Sequence, residues 1–165
     1  MPTTTAPPTT SFRIVGLPLA PFAPLFALSD AELAAGGMRR VVADSKPGYP
    51  CRVSLADAEP GETLILLHHL HHDVPGPYRA SGPIYVREAA VECTLATGEV
   101  PDYVATRLLS FRAYDASGML LDATVAEGRE FATVVNGMFA DPDVAYVHAH
   151  NARPGCFSCR IERAS

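Results

Sequence analysis

Apolar residues recur along this chain with two periods, and most of them fall in short runs suited to strands. Phe12 to Val15, Met38 to Ala43, Thr63 to His68, Ile84 to Glu88, Val144 to Asn151 and Phe157 to Glu162 are rich in Val, Ile, Leu, Phe or Tyr. Gly, Pro, Asp or Asn clusters bound these runs, which marks them as strands. Val104 to Tyr114 and Met119 to Val125 flank Asp115-Ala-Ser-Gly118, so a hairpin is predicted there. The helical period appears once with strength: Phe131, Val134, Val135 and Met138 share one face over 129–139. A short N-terminal helix is predicted between Ser29-Asp-Ala-Glu32, a capping-box pattern, and the stop at Gly36-Gly37. Together these elements predict an α+β fold: a largely antiparallel β-sheet of six to nine strands, with one short N-terminal helix and one amphipathic helix near 129–139.

Composition narrows the picture. At 165 residues, with 48% apolar and 19% charged residues, the chain suits a single globular domain spanning 12–165. The first 11 residues, Thr- and Pro-rich, read as a disordered tail. A net charge of −5 argues against a nucleic-acid partner, because neutralising phosphates takes a basic surface. The most apolar segment, Leu17 to Leu28, is broken by prolines and too short to span a bilayer, so no membrane partner is expected. No signal peptide is visible, which predicts a cytoplasmic protein with reduced cysteines.

Candidate chemistry gathers near the C-terminus. His148, His150, Cys156 and Cys159 occur as H-x-H-x5-C-x2-C around an Arg153-Pro154-Gly155 turn. Alternation places His148 and His150 on one face, about 6.6 Å apart along the strand. If Arg153 and Cys156 close the hairpin, Cys159 joins them on that face. The four side chains then form a donor set of the kind zinc takes. A one-residue slip instead aligns Val147 and Ala149 with Phe157, Cys159 and Ile161 as a core face, and moves the histidines away from Cys159. A redox role for Cys156-x-x-Cys159 fits less well, since low-pKa thiols of that motif sit at helix N-termini.

Two further loops bring charge and aromatic groups together. Tyr49 and Arg52 follow Pro47-Gly48, and Tyr78, Arg79 and Ser81 precede Gly82-Pro83. Arginine offers a bidentate fork to carboxylate or phosphate, and exposed loop amides can cradle an anion. The alternative is that each arginine pairs with a nearby acid, such as Asp44 or Glu88. His68, His69, His71 and His72 stand where a strand end runs into a loop and read as a solvated cluster. Cys51 beside Arg52 is a candidate thiol nucleophile with no histidine assigned to it. Walker A, GxGxxG, GxSxG and HExxH motifs are absent from the sequence.

The strings ADSKPGYPCRVSL (43–55), PYRASGPIYVRE (77–88) and YVHAHNARPGCFSCRIER (146–163) resemble those of a small bacterial family of single-domain proteins of unknown function. The resemblance runs from about Phe12 to the end and implies one compact domain, with no reaction attached. The functional expectation is binding of a small anionic molecule or a metal ion, with catalysis open, at a site built from the 47–52, 78–82 and 146–159 segments. The alternative is a structural or interaction protein that forms a homodimer through a sheet edge.

Overall fold

The computed structural model describes residues 11–164, so the predicted tail lies, apart from Ser11, outside the described residues. Ten strands are arranged in two five-stranded sheets. The first holds β1 (Phe12–Val15), β7 (Leu108–Tyr114), β8 (Leu120–Glu127), β9 (Tyr146–Asn151) and β10 (Phe157–Arg163), in the order β1-β10-β9-β7-β8. The second holds β2 (Arg39–Val42), β3 (Pro50–Cys51), β4 (Ala56–Asp57), β5 (Thr63–His72) and β6 (Ala80–Arg87), in the order β2-β5-β6-β3-β4. Every pairing is antiparallel except β3 with β6. The α+β class stands, but the single sheet predicted from patterning is two sheets. Two-residue strands such as β3 and β4 carry no periodicity to read.

The helices follow their local signals. In α1 (Asp30–Ala35) Ser29 accepts from the Glu32 amide while Glu32 accepts from the Ser29 amide, a complete capping box. Gly37, at φ 74°, turns the chain out of the helix in a conformation that side chains disfavour. A further short helix, α2 (Asp102–Ala105), stands where the apolar pattern suggests the start of a strand. One 3-10 turn precedes α3 (Phe131–Phe139), whose Phe131, Val135 and Met138 are buried as the 3.6-residue period requires.

The two faces of the first sheet have different tasks. Phe111, Val147, Ala149, Cys159 and Ile161 point to the face covered by α2 and α3, in a core completed by Phe131, Val135 and Phe139. The opposite face carries Arg112, Tyr146, His148 and His150. The far end of β5 closes over it, because β5 continues through the histidines to His72. No helix of the described residues is long and apolar enough to cross a membrane.

Candidate functional site

The final hairpin adopts the slipped register. Asn151 and Cys156 close it, and beyond the turn Cys159 pairs with Ala149, Arg160 with His148 and Ile161 with Val147. Gly155, at φ 79°, provides the left-handed step of the turn. Burying Val147, Ala149, Cys159 and Ile161 on one face selects this register over the one that would bring Cys159 to the histidines. The four expected zinc ligands are therefore not gathered. Cys159 is in the core, where burial pushes its thiol up to about 12. Cys156 lies at the turn, while His148 and His150 face β5. Among the described residues no group of three or more His, Cys, Asp or Glu is placed to hold a metal ion.

A bulge between Phe157 and Cys159 turns Phe157 off the core face, correcting its expected place there. Its ring stacks on His71 at 5.1 Å and meets the edges of His148 and His150. A second bulge, between His69 and His72 of β5, accompanies the delivery of two consecutive imidazoles, His71 and His72, into the same seam. The histidine run is thus no solvated loop: His72 is only 2% exposed. Its Nδ1 donates to the Tyr78 carbonyl (2.7 Å), and its Nε2 shares a hydrogen bond with the Tyr146 hydroxyl (2.6 Å). His150 donates from Nδ1 to the Gly155 carbonyl (3.0 Å), and Arg112 Nη1 lies 3.5 Å from its Nε2.

Three imidazoles of the seam, those of His71, His148 and His150, are held neutral. Burial is the main cause; neighbouring histidines add to it, with Arg112 acting on His71 and His150 and Arg160 on His148. His71 and His150 are pushed down to about 4, and His148 to about 2. A general base at neutral pH works best with a pKa near 7. His148 and His150 are poorly matched to that role.

Beside the seam, the two sheets flank an open cavity of about 780 Å³. The turn at Gly48 and Pro50 forms one wall and the hairpin loop from Asn151 to Pro154 forms the other. Arg52, 1% exposed, joins them. Its Nε donates to the Phe157 carbonyl (2.8 Å), Nη1 to the Pro50 carbonyl (2.5 Å) and Nη2 to the Cys156 sulfur (3.2 Å). Asn151 Nδ2 donates to the same sulfur at 3.4 Å. Among the described residues no carboxylate pairs with Arg52, whereas Arg107 on the same wall is clamped by Asp57 at 2.6 and 3.0 Å.

The remaining expected site residues lie elsewhere. Arg79 pairs with Asp73 on the surface, and Ser81 bonds His68 at 2.8 Å. Tyr78 gives its carbonyl to His72, and its ring lies near Tyr114. Tyr49 donates to Asp44 (3.0 Å) and packs on Tyr85. The 47–52 and 146–159 segments meet at the cavity, while the 78–82 loop meets only the far end of the seam. Arg107, Arg112, Tyr146 and Asn151 are site residues that the sequence pattern did not single out; the last three sit in strands whose alternation is legible but whose partners are not.

The family model of "Protein of unknown function (DUF1203)" matches residues 48–163. The chain belongs to the DUF1203 family. The matched span contains every residue of the cavity and of the histidine seam, and leaves out β1, α1 and β2. No curated protein and no solved structure matches the chain.

Cysteine accessibility separates the site from the core of this DUF1203 domain. Cys51, the candidate nucleophile, is fully buried, and its sulfur accepts from the Arg87 and Ser54 amides (3.4 and 3.5 Å). Iodoacetamide on the native protein is expected to modify Cys93 and Cys156 and to spare Cys51 and Cys159, as read by peptide mass mapping. Rapid native modification of Cys51 would restore it as a nucleophile.

Proposed function

We propose that this protein binds a small organic anion in the cavity between the 48–52 turn and the 151–156 loop, with Arg52 as the charge anchor. One observation carries the reading: a buried guanidinium on a cavity wall with no carboxylate partner among the described residues. Burying an uncompensated charge costs several kcal/mol, and two carbonyls and a sulfur offset only part of that. An anion in the cavity would complete the compensation. The depressed imidazoles beside it favour binding over general-base chemistry. The test is a panel of organic and inorganic anions, scored by thermal unfolding and by protection of Cys156 from iodoacetamide. Saturable stabilisation with protection is expected for some of them; a panel in which none binds would remove the reading.

A second reading rests on β8, an edge strand whose Leu121 and Val125 are 43% and 59% exposed. An open apolar edge invites pairing with a second copy of the chain. Under this reading the protein sediments as a dimer, and Val125→Lys makes it monomeric. Monomeric sedimentation of the unaltered chain at high micromolar concentration would exclude it.

A further inference from the structure

The cavity's own chemistry narrows the class of anion, an inference that rests on the proposed function above. Three cations stand on its wall, and among the described residues only one of them is both buried and free of an acid. Arg107 is neutralised by Asp57, and Arg153 lies exposed on a rim that also carries Glu127. Water screens both rim charges. The buried surplus is therefore a single positive charge, which a monoanion balances. A phosphomonoester, carrying close to two negative charges at neutral pH, would leave one of them unmatched.

Geometry agrees with charge. A guanidinium has five N–H groups, and Arg52 uses one on each of its three nitrogens. One N–H on each Nη is left without a partner among the described residues, and a carboxylate has two oxygens to accept them. The rest of the wall is mainly apolar: Pro50, Leu66, Pro83, Leu108, Pro154 and the ring of Tyr85. Its volume of about 780 Å³ is within the range of sites for drug-sized ligands, roughly 300–1,000 Å³. We infer that the ligand is a monocarboxylate with an apolar aliphatic or aromatic body, its head on Arg52 and its body against Leu66, Leu108 and Tyr85.

Three octyl-chain probes decide it: octanoate, octanamide and octyl phosphate, each measured by calorimetry and by slowing of Cys156 alkylation. Octanoate is expected to bind saturably and to protect Cys156, with octanamide at least tenfold weaker. Ala152→Phe, in the loop lining the cavity, is expected to weaken octanoate at least tenfold while leaving Arg52 and its partners in place. Octyl phosphate binding tighter than octanoate, and weakened by Ala152→Phe, overturns the monocarboxylate class and leaves the anion site standing. Equal binding of octanoate and octanamide overturns the role of charge. Failure of all three probes to bind or protect overturns the carboxylate class; the wider anion panel then judges the site itself.

Discussion

Acidification from pH 7 to pH 4.5 is expected to unfold this protein, well above the pH at which its carboxylates alone would do so. His148 lies among His71 and His72 of β5, Tyr114 and Arg112 of β7, Tyr146 and His150 of β9, and Arg160 and Phe157 of β10. No acid faces it in these contacts, so nothing offsets the cost of charging it. Unfolded histidine titrates near 6.5, whereas burial holds His148 near 2 and His71 and His150 near 4 in the fold. Below pH 6.5 the unfolded chain takes up protons that the folded chain refuses. The stabilisation is thus complete above pH 6.5 and is lost as pH falls toward the folded values.

Each imidazole that stays neutral costs the fold about 1.4 kcal/mol per pH unit in that window. For His148 and His150 together this comes to about 5 kcal/mol by pH 4.5, with a smaller share from the less buried His71. That is comparable to the whole stability of a domain, roughly 5–15 kcal/mol. Circular dichroism across pH should show a cooperative loss of structure between about pH 4 and 5. His148→Phe should move the midpoint down by about one pH unit, because close to half of the proton-linked destabilisation is gone. A midpoint near pH 3 that ignores this substitution would assign acid unfolding to carboxylates instead.

Replacing Arg52 with methionine is expected to cost about 2–5 kcal/mol. The substitution strands the buried Pro50 and Phe157 carbonyls, each worth about 1–3 kcal/mol when left unpaired. Removing an uncompensated buried charge returns part of that, which keeps the loss at the lower end when no ligand is present. For a domain of this size the melting temperature should fall by roughly 5–15 °C. An anion that stabilises the native protein should give no shift in the variant. Wild-type stability in Arg52→Met with anion binding intact would show that Arg52 neither joins the two sheets nor anchors the ligand.

The hairpin shows how a site can be half legible. Alternation alone puts His148 and His150 on one face of β9, and the same alternation in Val147 and Ala149 announces a competing core face. Choosing between the registers takes knowledge of what covers each face. The packing of Phe131, Val135 and Phe139 against Val147, Ala149, Cys159 and Ile161 makes that choice. Phe157 was misplaced by its parity because a bulge costs one residue of register and leaves no mark in composition.

Local chemistry in the chain settled the class of fold, the capped first helix, the amphipathic α3 and most of the strands, since capping and periodicity act over a few residues. It also marked Arg52 and the 146–159 hairpin as places of interest. The division into two sheets, the burial of His72, the parting of Arg79 from Arg52 and, among the described residues, the lack of an acid beside Arg52 were decided only in three dimensions. These depend on contacts between residues far apart in the chain, such as the bond from Arg52 to Phe157 across 105 positions. No local preference of the backbone encodes which distant carbonyl, ring or charge will stand opposite a given side chain.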